Sequence, residues 1–420
     1  LHKLNNDSLK LTIVSQLFYP ELISTGQTIY ELAEDLTKQN VSVDVICGPI
    51  TLSKHKKPEQ HINRNGIKIN RIWGTSFPKL NFLGKLLNQL TFTLSVFVVL
   101  TKRRFTKQRT TPLLILTNPP MMGIAAAFQR IIGGSPYIYL IFDVYPETAI
   151  RANFIKRYGL ISLIWTLSNS IILTYSSSII VIGRCMSKLF ENKAYSSKLK
   201  TIHVWADDLS IGQTETSSNK NDPDNPYIKK WNLKDKFVVM YSGNLARFHD
   251  LETIMEAADA LKEHTDIVFL FVGEGHKKKM CVDIAQSKNL PNCIFDTYVP
   301  KDDLKYSLKV ADIGLVSLLK GQEGLSVPSK TFGLLSAGIP ILGLLPENSE
   351  ISLILNQENC GKVVEPGNVN KFATTLLDLK NSPETLKTLS ENGKKAIKEM
   401  YNLRNASKEY ISILKSINIT

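Results

Sequence analysis

A lysine stands where a helix least favours one. In 327-VPSKTFGLLSAG-338, Pro328 cannot extend a preceding helix, Ser329 is a favourable N-cap and an apolar run follows, so a helix is expected to begin at Lys330. The helix dipole already concentrates positive charge at that end, and a cation there carries a mild penalty. An anion bound at the helix start removes it. A second cation, Arg247, stands in 240-MYSGNLARFHDLE-252, where a strand runs through Gly243 and Asn244 toward a helix near Asp250. Arginine suits forked recognition of phosphate oxygens, although a solvated surface arginine is an equal reading of Arg247 alone. In 270-LFVGEGHKKKM-280, Gly273 and Gly275 flank Glu274 and open space at a strand end. Gly26, in 19-YPELISTGQTIYELAEDL-36, lies just before a helical pattern and reads equally as a plain turn glycine. With Arg247 and Lys330 at strand ends of one sheet, two cations can converge on a diphosphate and stabilise it as it departs.

These residues need a scaffold that gathers strand ends. Short apolar runs at 11–18, 42–48, 67–74, 113–118, 137–144 and 178–183 alternate with helical patterns at 28–39, 121–132 and 159–173. The same alternation continues with strands at 237–244, 267–275, 293–299, 313–318 and 340–345, and with helices at 251–264, 276–289, 301–311 and 330–338. Strand–helix alternation argues for parallel sheets joined by crossover helices. The polar stretch 206-ADDLSIGQTETSSNKNDPDNP-226 reads as a linker. The expected fold is therefore α/β, with two doubly wound, Rossmann-like domains facing across a cleft that holds the ligand at the strands' carboxyl ends. The boundaries are residues 1–206, residues 207–402 and a terminal segment 403–420 whose helix could return to the first domain.

Composition narrows the function. The chain has 420 residues and a net charge of +13, but residues 1–206 carry 25 basic and 10 acidic side chains, leaving the remainder near neutral. No nucleic-acid module or aromatic RNP-like string accompanies this basic half. An anionic membrane surface fits it better, because basic residues flank the apolar stretch 83–100, which looks too short to span. The uncharged segment 158–183 splits into a helix-like and a strand-like half, and the amino-terminal residues lack the apolar core of a signal peptide. Five cysteines without CxxC or His/Cys metal spacing point to reduced thiols in a cytoplasmic protein. The sole Asp-x-Asp, 222-DPD-224, falls in the linker, so no divalent metal and no cofactor is expected.

Taken in order, 19-YPELISTG-26, 142-FDVYPE-147, 205-WADD-208, 241-YSGNLAR-247, 271-FVGEG-275 and 327-VPSKTFGLLSAGIP-340 resemble the retaining GT-B glycosyltransferases of family 4 over nearly the whole chain. Within that family the likeness is to bacterial exopolysaccharide and O-antigen transferases of the fucosyl and N-acetylfucosaminyl type. The resemblance implies metal-free transfer of a sugar, with retention, from a UDP- or GDP-linked donor to an acceptor, here a lipid-linked glycan at the inner face of the plasma membrane. It implies an acceptor-binding first domain and a donor-binding second one. By the same likeness Arg247 and Lys330 hold the donor diphosphate, and Gly243, Asn244 and Ser329 adjoin it. Gly273, Glu274, Gly275 and Val299 line the base, and Gly26 sits by the phosphate and the acceptor. Asp143, at a strand end, is the candidate acceptor contact or proton acceptor; the alternative is that Asp143 or Glu147 caps the helix after Pro146.

The sequence departs from the family at one place. The family's two glutamates, eight positions apart, fall on Leu325 and Gly333, neither of which can grip a sugar. Glu323, with backbone donors at Gly324 and Leu325, is the candidate replacement. Two other functions remain open: a nucleotide-sugar 2-epimerase of the same architecture, and a pseudoenzyme that binds the donor without turnover.

Overall fold

The computed structural model describes residues 9–21, 25–50, 60–77, 82–191, 194–206 and 225–419; most of the linker, with its Asp-x-Asp, lies outside them. The chain forms two compact units, Leu1–His203 with Leu403–Thr420, and Val204–Asn402.

The first unit is built on an eight-stranded sheet. Its strands are β1 (Lys10–Ser15), β2 (Ser42–Cys47), β3 (His61–Arg64), β4 (Ile67–Arg71), β5 (Leu113–Leu116), β6 (Tyr137–Ile141), β7 (Ser178–Val181) and β8 (Leu199–Thr201), in the order β3-β4-β2-β1-β5-β6-β7-β8. All pairs are parallel except β3–β4. That hairpin turns at Asn65-Gly66, both at positive φ, the geometry an Asn-Gly pair favours. The apolar runs of β1, β5, β6 and β7 are buried throughout, as parallel strands covered on both faces must be. The terminal helix Leu403–Ile419 packs on the helix Thr25–Lys38 of this unit.

The stretch at 83–104 is one 22-residue helix, Phe82–Arg103, longer than its broken apolar run suggested. Polar Asn88 and Thr91 sit within it and serve the preceding loop, Asn88 bonding both backbone groups of Phe77 at 2.9 Å. No helix among the described residues is long and apolar enough to cross a membrane.

The second unit carries β9 (Phe237–Ser242), β10 (Ile267–Val272), β11 (Cys293–Asp296), β12 (Ile313–Ser317), β13 (Ile341–Leu344) and β14 (Gly361–Val364), all parallel, in the order β11-β10-β9-β12-β13-β14. The order reverses between β9 and β12, and at such a reversal the connections leave on opposite faces and open a crevice at the carboxyl ends. Below it Tyr241, Leu251, Ile254, Phe269, Phe271 and Phe372 are core residues.

Candidate functional site

The site grows from the β9 and β12 ends. After β9 the chain turns through Gly243, whose φ of +124° only glycine adopts freely. The turn is stapled to the loop after β10: Gly243 N–H donates to Val272 O at 2.8 Å and Leu245 N–H to Glu274 O at 2.9 Å. The glycines of that second loop are explained by this contact. A Cβ on Gly273 would lie 2.0 Å from Gly243 O, and one on Gly275 would lie 2.5 Å from Leu245 O and 2.6 Å from Asn244 Oδ1. The room expected at Gly273 and Gly275 is thus taken by the neighbouring turn, so the pair of glycines fixes backbone on backbone.

After β12, Leu319 N–H donates to Phe248 O at 2.8 Å, tying the next loop to the same turn. Positive φ at Gly321 and Gly324 brings the chain round to Pro328, and the helix Lys330–Ser336 begins. Ser329 is exposed and its side chain makes no capping bond; Pro328 O receives both the N–H and the hydroxyl of Thr331 instead. The helix stops at Gly338, whose carbonyl accepts from Ser390 Oγ at 2.6 Å. Phe332 packs on the Tyr401 ring at 5.7 Å, so the helix is held from behind.

Lys330 therefore points from a fixed helix into the β9 turn. Its Nζ is shielded from solvent and has no hydrogen-bond partner, the only lysine nitrogen so placed among the described residues. It lies 3.4 Å above the centre of the Tyr241 ring, and Gly243 supplies the adjoining wall, a Cβ there being 3.9 Å from Nζ. Desolvation pushes its pKa well below the ordinary lysine value. The ring face offers a cation some stabilisation but satisfies none of its three donors.

Two neighbouring lysines, by contrast, are already paired. Lys277 Nζ bonds Glu252 Oε2 and His249 O, each at 2.7 Å, and Lys278 Nζ bonds Glu274 Oε1 at 2.6 Å. Lys278, then Thr297, holds the Glu274 carboxylate below its usual range. The Tyr241 hydroxyl donates to Asn244 O at 3.0 Å and has a short bond with His249 Nδ1. Burial first, then the charges of Lys330 and Lys277, lowers the His249 pKa to about 3, so the ring is neutral at pH 7.

Of the residues singled out from sequence, Gly243, Asn244, Gly273, Gly275 and Lys330 share one contact network. Arg247 is exposed on the same turn, Glu323 is half-buried in the β12 loop, and Val299 is half-buried beyond β11 beside the exposed Tyr298. Leu325 is buried, and its N–H is spent on Gln322 O at 3.1 Å, so it is no free donor. Gly333, one turn along from Lys330, faces open space. In the first unit, Asp143 is half-buried just after β6, and its charge adds to burial in raising the Tyr145 pKa. Glu147 opens the helix Glu147–Arg151, whose N-cap is Pro146, a residue with no capping side chain. Gly26 lies inside the first turn of Thr25–Lys38 and not before it; a Cβ would meet Glu21 O at 2.8 Å. Sequence reasoning missed Tyr241 and His249, both inside the quoted stretch 240–252, because their contact with each other and with Lys330 exists only once the turn is folded.

Residues 224–396 match the family described as Glycosyl transferases group 1. Among curated relatives, the probable glycosyltransferase WbjE of Pseudomonas aeruginosa is 26% identical over 246 residues, 58% of this chain and 60% of its own. The putative colanic acid biosynthesis glycosyl transferase WcaI of Escherichia coli (strain K12) is 30% identical over 128 residues, 30% of each chain. The chain thus spans 60% or less of the curated relatives it matches. Solved structures match over nearly the full length. Sucrose-phosphate synthase from Thermosynechococcus elongatus superimposes with a TM-score of 0.75 at 13% identity, covering 98% of this chain and 99% of that one. HepE of Anabaena, in complex with UDP, gives 0.70 at 12%, covering 97% and 100%. The match to the group 1 glycosyltransferase family thus covers residues 224–396, and the chain has the GT-B fold of these solved structures.

Proposed function

We propose that this chain is a retaining, metal-independent glycosyltransferase that moves a sugar from a UDP- or GDP-linked donor to a lipid-linked glycan at the inner membrane surface, in surface polysaccharide synthesis. One observation carries the reading: a buried, unpartnered Lys330 ammonium at the strand-order reversal of a group 1 glycosyltransferase domain. A bound diphosphate would give its three donors acceptors and offset its burial, and Arg247 on the adjoining turn would take further phosphate oxygens. The UDP bound by HepE and the colanic acid role in the name of WcaI support the donor and product classes. Under this reading Glu274, Val299 and the loop Gly273–Gly275 line the base, Glu323 contacts the sugar, and Asp143 meets the acceptor hydroxyl. The bond from sugar C1 to the diphosphate breaks as that hydroxyl attacks from the same face, and the departing diphosphate takes its proton. The developing charge is that of an oxocarbenium ion.

A donor-binding pseudoenzyme is the second reading, favoured by the burial of Leu325 and the missing side chain at Gly333. A thermal-shift screen of UDP, GDP and their sugars, followed by product analysis with lipid-linked acceptors, separates the two. A ligand that binds only the native state raises the melting temperature. Stabilisation by one diphosphate with sugar transfer supports the enzyme; stabilisation without transfer across acceptors supports the pseudoenzyme; no shift with either diphosphate overturns both.

A further inference from the structure

The helix Leu160–Tyr175 buries Ile172 and Leu173 near its end, but its first part is inverted. Ser162 is 4% exposed and Asn169 turns inward to donate to Tyr145 O, while Leu160 (72%), Ile161 (61%), Leu163 (57%) and Leu167 (57%) stand in water. Leu160, Ile164, Leu167, Ile171 and Tyr175 recur at helical spacing and form one stripe, and none of the sixteen residues is charged. The neighbouring helix Met122–Ile131 packs against both this helix and Phe82–Arg103. It exposes Phe128 and Ile131, and Phe82–Arg103 exposes Leu90 and Leu94. Three helices in succession, each packed on the next, thus show water apolar side chains of the kind that marks an interaction site.

Charge identifies the partner. Residues 148–190 hold five basic side chains and no acidic one. Arg151, Lys156 and Arg157 are exposed immediately before the stripe, among the exposed aromatics Phe154 and Tyr158. Apolar side chains beside aromatics and cations match the layers of a lipid surface: acyl chain, interface and anionic phosphate. A second copy of the chain would bring like charges together with no acidic residue on this segment to meet them. At about 1.5 Å per residue the helix measures roughly 24 Å, short of the ~30 Å hydrocarbon layer, so it lies in the surface.

We propose that the outward face of Leu160–Tyr175 is seated in the surface layer of an anionic bilayer, with Arg151, Lys156 and Arg157 on its phosphates. This rests on the membrane-surface part of the function proposed above and is independent of the donor site. The test is co-sedimentation of the full chain with vesicles of phosphatidylcholine, alone or with roughly a third phosphatidylglycerol. The wild type should partition at least about tenfold better onto the anionic vesicles. Leu160→Gln/Leu163→Gln/Leu167→Gln, all at exposed positions, should lose about tenfold with an unchanged melting temperature, and Lys156→Glu/Arg157→Glu should lose the anionic preference. Undiminished binding by the triple variant overturns this surface while leaving membrane association standing. Absence of wild-type binding overturns both. A dimer that the triple variant dissociates, with no vesicle binding, assigns the face to self-association. The diphosphate-induced thermal shift should be the same in all three proteins, which keeps the donor site out of the outcome.

Discussion

Lys330 is in a condition a lysine leaves when it can: its ammonium is out of water with an aromatic face for company. Burial lowers its pKa in the free protein, and an arriving anion favours the charged form, so binding should draw in a proton. Calorimetry of UDP or GDP binding across a pH series up to 10, in buffers of different ionisation enthalpy, should show proton uptake in the wild type that is absent from Lys330→Met; equal buffer dependence in both at every pH would remove Lys330 from the site. His249 supplies a second pH effect, this one on stability. Its folded pKa of about 3 lies below the unfolded value, so below pH 6.5 the unfolded chain binds the extra proton and stability falls with pH. Between pH 6.5 and 4.5 the loss from this group is roughly 2–3 kcal/mol, and urea unfolding of His249→Asn should lack that part of the slope. Lys330 itself was legible from its neighbours, since Pro328 and the following apolar run mark a helix start. The serine beside it misled, because the first turn is closed by the Pro328 carbonyl and leaves Ser329 uncapping.

At the scale of elements, the two glycine loops act as one joint. Gly273 combines a φ of +149° with backbone 2.0 Å from where a Cβ would sit, whereas Gly367 has a φ of +85° and nothing within 4 Å. Gly367→Ala should cost about 1 kcal/mol from strain alone, and Gly273→Ala about 3 kcal/mol or more, from strain plus overpacking. Equal urea midpoints for the two variants would contradict the joint. Gly333 offers the opposite case, a helical glycine facing space. Gly333→Glu should stabilise the helix by roughly 0.5 kcal/mol and tighten nucleoside binding if the ribose lies there; a weaker-binding, stable variant would place the ribose elsewhere. The strands that were readable in sequence are the buried apolar runs such as IVFLFV and FVVMYS. Strand β3, His-Ile-Asn-Arg, is a mostly exposed edge, and β14, Gly-Lys-Val-Val, is broken by an exposed lysine, so neither had an apolar run to betray it. Helix 82–103 was hidden because Asn88 and Thr91 interrupt its apolar run to serve the loop before it.

The molecule as a whole divides its labour by charge and surface. Residues 1–206 hold the positive excess, 25 basic against 10 acidic side chains, and the unit they form bears the exposed apolar helices. The unit Val204–Asn402 contains the residues that match the group 1 glycosyltransferase family and keeps the Lys330 ammonium buried. Binding to anionic vesicles should therefore weaken with salt, since exposed cations are screened beyond about 8 Å at physiological ionic strength, while the buried Lys330 contact should weaken far less. Two-domain architecture was visible in the strand–helix rhythm, but the inverted helix was not. Its sequence, LISLIWTLSNSIILTY, reads as an ordinary core helix until Ser162 and Asn169 are seen to face inward. The most direct test of the central claim is the affinity of the full chain for UDP and for GDP, beside that of Lys330→Met, which keeps the side chain's length and removes its charge. Loss of one diphosphate's binding by on the order of a hundredfold, about 2.7 kcal/mol, is the predicted result. Equal affinity in the two proteins would contradict the claim that Lys330 holds the donor.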